Sequence, residues 1–281
     1  MHNFRAGCLS ATFARHGKVC EDCLGKAPWR GVLRGCYRES VAQSAVLATM
    51  VMTHRHLGTY DRKVTRFIAL TDFAKQKLTA TGLPADKIRI KPNFVEWRPA
   101  PKASARQGGI YVGRLTTEKG IDVLLEALLR FQSDEHQIEV MGTGPLEAAM
   151  ATRLGSRYLG FQPLDVVLGK MEGAAFMVLP SIWYEGFPRT IVEAFACGLP
   201  VIASRLGSMA ELVVDGQTGL LFETSNAAEL ADKIAWANAH PQEMAAMGLR
   251  ARAVYEQRFN PERNLAELVG IYREAIAATA S

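Results

Sequence analysis

Leu179-Pro-Ser-Ile-Trp-Tyr-Glu185-Gly-Phe-Pro-Arg-Thr-Ile-Val-Glu193-Ala-Phe-Ala-Cys-Gly198 decides the architecture. An apolar run, Phe176 to Leu179, reads as a buried strand that ends at Ser181; a short loop then carries Glu185. Pro188 suits the first turn of a helix, because its missing N–H costs nothing there, and that helix carries Glu193. Helix N-termini present N–H groups and a positive dipole end, which favour phosphate. Two carboxylates near a diphosphate would repel it, so they should face hydroxyl groups, as a sugar supplies.

The same alternation extends in both directions. Ile110 to Val112 precedes a helical pattern over Ile121 to Phe131; Ile138 to Met141 precedes Leu146 to Leu154; the Ile191 to Cys197 helix leads into Val201 to Ala203. Strands alternating with amphipathic helices predict an α/β fold with a doubly wound parallel sheet, covered on both faces. Ligands of such sheets sit at the carboxyl ends of strands, so the loops after Val112, Met141 and Leu179 are the place to look for chemistry.

The first of these loops, Gly113-Arg114-Leu-Thr-Thr-Glu118-Lys119-Gly120, supplies cations. Arg114 can grip phosphate oxygens in bidentate fashion and Lys119 acts as a mobile point charge, and both would stabilise negative charge growing on a leaving diphosphate. The competing reading is a solvated turn in which Glu118 pairs Lys119. The second loop, Gly142-Thr-Gly144-Pro, lets backbone approach a ligand. It lacks the third glycine of a dinucleotide fingerprint, which makes an NAD-dependent oxidoreductase a poor fit; a plain strand-to-helix turn explains it equally well.

Nearly half of the 281 residues are apolar, enough to bury a core and to exclude disorder. No apolar run reaches the ~20 residues of a spanning helix, and no signal stretch follows Met1, so a cytoplasmic home is expected. Arg5, Arg15, Lys18, Lys26, Arg30, Arg34 and Arg38 outnumber Glu21, Asp22 and Glu39 near the start, which favours an anionic partner. The front of the chain otherwise predicts a long helix over Val32 to Leu57, a strand at Phe67 to Leu70, a helix from Asp72 to Thr81 capped by Asp72, and a strand within Pro84 to Asn93. Pro99 and Pro101 read as an interdomain linker. The last segment, Pro261 to Ala278, has apolar residues at helical spacing and must pack against something.

Four of the five cysteines form Cys8-x11-Cys20-x2-Cys23-x12-Cys36. Two thiolates on the tight turn plus two flanking ones could complete a structural zinc site; unligated thiols, disulfides or a redox-active pair are the alternatives. No finger spacing or aromatic platform points to nucleic acid. Cys197 falls in an apolar helical pattern and reads as a buried structural thiol. Trp183 and Tyr184 either touch the sugar or pack in the core.

Taken together, Pro-Ser…Glu185-Gly-Phe-Pro…Glu193-Ala, Gly113-Arg114…Glu118-Lys119-Gly120 and Gly142-Thr-Gly144-Pro resemble the donor domain of family 4 retaining glycosyltransferases of the GT-B fold. Gly198-Leu-Pro-Val-Ile-Ala, Glu211-Leu-Val and Asp215-Gly-Gln-Thr-Gly219 follow in that family's order, and the likeness runs from about Ile90 to the end. The resemblance implies a complete C-terminal Rossmann-like donor domain over 99–258, a partial acceptor-side domain with the Cys-rich segment over 1–98, and a C-terminal helix over 259–281 that packs back on the front. It implies that Arg114 and Lys119 bind the donor diphosphate, Glu185 the transferred sugar and Glu193 the ribose, with Gly113, Gly142, Gly144, Gly186, Phe187, Pro188 and Thr190 lining the donor and Tyr158 to Phe161 lying against the base. His2 resembles the family's histidine near the donor sugar; if so, the opening part of the acceptor domain is missing and the chain is N-terminally truncated. The implied activity is transfer from a UDP- or GDP-sugar to a sugar or lipid-linked acceptor in polysaccharide or glycolipid synthesis, with no catalytic metal. The implied setting is the cytoplasm, with peripheral contact at the inner face of the membrane. A non-catalytic nucleotide-sugar-binding module, or one piece of a split transferase, is the alternative.

Overall fold

The computed structural model describes residues 1–96, 106–132 and 137–280. In chain order the elements are β1 (Ala14–Arg15), β2 (Lys18–Val19), α1 (Trp29–Leu33), α2 (Val41–His56), α3 (Thr59–Arg62), β3 (Phe67–Ala69), α4 (Asp72–Ala80) and β4 (Ile88–Ile90). They continue with β5 (Gly109–Val112), α5 (Ile121–Leu128), β6 (Ile138–Met141), α6 (Glu147–Leu154), β7 (Tyr158–Gly160), α7 (Leu164–Gly173), β8 (Phe176–Leu179) and α8 (Arg189–Ala196). The chain closes with β9 (Val201–Ser204), α9 (Gly207–Leu212), β10 (Gly219–Phe222), α10 (Ala227–Ala239), α11 (Pro241–Arg258) and α12 (Pro261–Ala280). They fall into two compact units, one of residues 1–93, 183–187 and 262–281, the other of 94–182 and 188–261. The linker expected at Pro99 and Pro101 lies outside the described residues.

The second unit is built on a six-stranded parallel sheet in the order β10-β9-β8-β5-β6-β7. Strands β8, β9 and β10 are buried at every position, as a sheet covered on both faces requires. Helix α5 packs on α10, while α8 packs on α7 and α11. From β5 the chain steps outward to β6 and β7, then returns to β8 on the other side of β5. The order therefore reverses between β5 and β8, the position at which open parallel sheets hold their ligands. Met244 and Met247 face the core of this unit, as their helical spacing predicts, and Cys197 is 2% exposed.

The first unit pairs β3 with β4 in parallel and packs α4 against both. Phe4, Phe13, Phe67, Leu78, Leu83 and Ile88 form its core, with Tyr184 packed at the margin. Glu274 on α12 accepts from Arg89 at 2.7 Å and from Arg66 at 3.5 Å, and Asn264 donates to the Pro92 carbonyl at 2.6 Å.

Two local expectations are corrected. The helix predicted over Val32 to Leu57 is two helices, because Gly35, Arg38 and Glu39 take left-handed backbone angles between them and Ser40 caps α2 through the Gln43 N–H. Helix α4 is capped by Thr71 and not Asp72: the Thr71 hydroxyl accepts from the Ala74 N–H at 3.0 Å, and Asp72 stands one position inside.

Candidate active site

Two loops meet beyond the β5/β8 reversal. Gly120 ends the first loop in a left-handed conformation, φ +72°, and a Cβ there would lie 1.8 Å from the Pro180 carbonyl oxygen, so only glycine fits. The Ile182 N–H donates to the Glu118 carbonyl at 3.1 Å and fastens the same two loops. From below, the fully buried Tyr111 hydroxyl donates to the Arg114 carbonyl at 2.8 Å. The cation-bearing loop is thus held by backbone and core, while the Arg114 guanidinium stays exposed.

Arg114 lines a cleft of about 270 Å³ with Gly113, Gly142, Thr143, Phe161 and Gln162, floored by Val112, Met141 and Val167. Phe161 is 77% exposed, an unusual cost for a phenyl ring and a flat surface for a planar ligand. The Tyr158 hydroxyl donates to the Gly142 carbonyl at 2.9 Å. Burial, then the neighbouring Glu147, pushes that hydroxyl up to about 12, so it is a fixed donor supporting the loop. Gly142 also serves the protein itself, because a Cβ on it would meet the Gly113 carbonyl at 1.8 Å and one on Gly144 the Leu115 carbonyl at 2.5 Å. The close approach is between neighbouring loops. Thr143, Gln162 and Val167 went unremarked in the sequence, since only strand pairing brings them beside Arg114.

In the charged turn, Glu118 contacts Arg114 at 3.5 Å across one turn. On α8, Glu193 is 8% exposed and lies 3.7 Å from Arg189. Burial raises the Glu193 carboxyl above its ordinary value and Arg189 only partly opposes this. A carboxylate kept in so dry a place is costly without acceptor work to do. Pro188 occupies the N-cap position of α8, one residue ahead of the first turn expected for it, and Thr190 lies in that turn.

Glu185, Gly186 and Phe187 group with the first unit, as does His2. Glu185 is 7% exposed. The His2 carbonyl oxygen lies 2.9 Å from where a Cβ on Gly186 would stand, so His2 and the Glu185 loop are neighbours within that unit. Tyr184 turns into the core, where its ring meets Phe73 at 4.7 Å and Phe13 at 6.3 Å. Core packing accounts for the placement of its ring.

The zinc reading of Cys8, Cys20, Cys23 and Cys36 finds no matching arrangement. Among the described residues no group of three or more His, Cys, Asp or Glu side chains is disposed to hold a metal ion. Burial pushes the Cys23 and Cys36 thiols up, which favours neutral thiols over the thiolates a metal needs.

With this geometry in view, comparison with known proteins is informative. Residues 106–239 match the model of the family described as "Glycosyl transferases group 1". The chain is 27% identical over 292 residues to WcaL of Escherichia coli (strain K12), named as a colanic acid biosynthesis glycosyltransferase, and covers 71% of it with 95% of its own length. It is 30% identical over 219 residues to the amylovoran biosynthesis glycosyltransferase AmsK of Erwinia amylovora, with 69% of this chain and 53% of that protein aligned. Among solved structures, Anabaena HepE in complex with UDP-glucose superposes with a TM-score of 0.64 at 22% identity, over 85% of this chain and 67% of that one. The fold is that of the GT-B glycosyltransferases. The chain spans from about half to about seven tenths of the length of the two curated relatives.

Proposed function

We propose that this chain is the donor-side part of a family 4 retaining glycosyltransferase. In this reading a UDP- or GDP-sugar binds beyond β5 and β8, its base against Phe161 and its diphosphate between Arg114, Lys119 and the start of α8. The ribose hydroxyls donate to Glu193, and Gly113, Gly142, Gly186, Phe187, Pro188 and Thr190 shape the walls. The observation that carries this is the fastening of the Arg114 loop to the end of β8 at the topological reversal, beside an open cleft that Arg114 lines.

The chemistry follows from charge. As the bond from the anomeric carbon to the diphosphate breaks, negative charge grows on the leaving oxygen, where Arg114, Lys119 and the α8 dipole stabilise it. Those cations supply what a divalent metal would, so no catalytic metal is needed. Glu185 accepts hydrogen bonds from hydroxyls of the transferred hexose and fixes its orientation, with His2 beside it. The acceptor oxygen bonds to the anomeric carbon on the face that the diphosphate leaves, its proton passes to the leaving phosphate oxygen, and anomeric configuration is retained. The acceptor is a growing polysaccharide or a lipid-linked sugar, consistent with relatives named for colanic acid and amylovoran synthesis. No helix among the described residues is long and apolar enough to cross a membrane. We place the reaction in the cytoplasm, with the basic front segment against the inner face of the membrane. The domain assignment is a partial acceptor side over 1–98, a donor domain over 99–258 and a bracing helix over 259–281.

A second reading is a nucleotide-sugar-binding module that works with an acceptor side supplied in trans. Release of nucleoside diphosphate from a panel of UDP- and GDP-sugars separates the two. The transferase releases nucleotide, and Glu185→Ala abolishes release while leaving UDP or GDP binding within a few-fold. Binding without turnover supports the module, and neither binding nor turnover overturns both.

A further inference from the structure

Glu21 sits in the Cys20–Cys23 turn, a feature that the proposed function leaves idle. Its carboxylate oxygen Oε1 accepts from the Tyr184 hydroxyl at 2.8 Å and from Lys77 Nζ at 2.5 Å. The Lys77 ammonium also lies 5.2 Å from the Tyr184 ring centre and 5.4 Å from that of Phe73. Tyr184 is thereby held at its hydroxyl by a charge-assisted bond, on its face by a cation, and at its edges by Phe73 and Phe13. Glu185 is the next residue.

We propose that Glu21, through Tyr184, is a positioning residue that fixes the loop carrying Glu185. The inference rests on the reading of Glu185 as the group that orients the transferred sugar. Catalytic geometry tolerates little slack, since a misplacement of ~1 Å can cost about a hundredfold in rate. A loop residue therefore needs an anchor, and Tyr184, the residue before Glu185, supplies one. The Cys-rich segment thus contributes an acceptor for the active-site loop. Burial and the Glu21 carboxylate push the Tyr184 hydroxyl far up, so it remains the donor throughout the working pH range. On the other side, burial acts to raise Glu21, but the bonds from Lys77 and Tyr184 outweigh it and leave the carboxyl below its ordinary value. The pair keeps its donor and acceptor roles at neutral pH. Asp22, one residue along, points to Arg34 at 2.5 Å and serves as a built-in control.

The experiment measures hydrogen–deuterium exchange of the Trp183–Phe187 segment together with steady-state turnover, in the wild type, Tyr184→Phe, Glu21→Ala, their double variant and Asp22→Ala. Exchange in that segment should rise in Tyr184→Phe and Glu21→Ala while β8 and α8 stay protected, and Asp22→Ala should match the wild type. Turnover should fall about tenfold or more in each clamp variant, with the UDP dissociation constant within about twofold. The double variant should be no worse than Glu21→Ala, because that substitution already removes the Tyr184–Glu21 bond along with the one from Lys77. Glu21→Gln, which keeps an acceptor, should recover part of the loss. Unchanged exchange in both clamp variants overturns the proposal whatever the turnover, as does an additive double variant. If exchange responds as expected but the wild type turns over no sugar nucleotide, the anchor stands and the transferase reading is what fails.

Discussion

Replacing Gly120 by alanine tests how the cation-bearing loop is tied to the end of β8, and Gly216→Ala is its internal control. Both glycines are left-handed, at φ +72° and +71°, and both belong to the second unit, so a single unfolding transition reports on each. A Cβ at Gly216 meets nothing within 4 Å, and its cost is the backbone conformation alone, about 1 kcal/mol. A Cβ at Gly120 carries the same conformational cost and also falls 1.8 Å from the Pro180 oxygen. Ordinary contact begins at 3.4 Å, so the two loops must part by about 1.6 Å. That movement strains the Ile182–Glu118 bond, and overpacking of this kind costs roughly a further 1–3 kcal/mol. The total of about 3 kcal/mol should lower Tm by about 6–12 °C, against about 2–4 °C for Gly216→Ala. Calorimetry or chemical denaturation gives the comparison, and UDP titration should show weakened binding for Gly120→Ala alone. Equal losses in the two variants would refute the reasoning, because they would mean that the loops do not touch as described.

Glu193→Gln should raise the Tm of the ligand-free protein, since burial disfavours the charge that the wild type holds there, and should weaken UDP binding about tenfold to a hundredfold; loss of stability with unchanged binding would contradict the assignment. Thr71→Val keeps the shape but removes the α4 cap and should cost about 1 kcal/mol, which denaturant titration resolves. Cys197 should resist alkylation at pH 8 in the folded protein while the four half-buried cysteines react, as mass spectrometry of peptides would show. Burial, reinforced by Glu172, pushes the Cys197 thiol up to about 12 from 9.0. Its contribution to stability is therefore complete below pH 9 and lost as pH rises towards 12, at no more than about 1.4 kcal/mol per pH unit. Cys197→Ala should flatten that alkaline decline.

Strands β5, β6, β8 and β9 and helices α5, α6 and α8 were legible because strand and helix periods alternate there, most clearly at the unbroken apolar run of β8; the three-residue β7 and the short helix α9 are too brief to show a period, and α7 and β10 drew no expectation. The cations, the glycines and both carboxylates stood out for the same reason: they punctuate a regular pattern at strand ends. What the front of the chain hid was conformational. Arg38 and Glu39 adopt positive φ without being glycine, so nothing in the apolar spacing marked the break between α1 and α2. Strands β1 and β2 have two residues each, too few to show a period. The Tyr184–Glu21 bond spans 163 residues, and no local pattern encodes a partner at that distance. The cysteine spacing permitted zinc, but spacing says nothing about where the sulfur atoms point.

In the proposed reaction a nucleoside diphosphate is held at the ends of β5 and β8. Calorimetric titration of UDP and GDP into the wild type and into an Arg114→Ala/Lys119→Ala variant tests it most directly. The account predicts saturable binding of one nucleotide by the wild type and a loss of at least about a hundredfold in the variant, two charge-assisted contacts being removed. Equal affinity in the two proteins, or no binding of either nucleotide by the wild type, would contradict it.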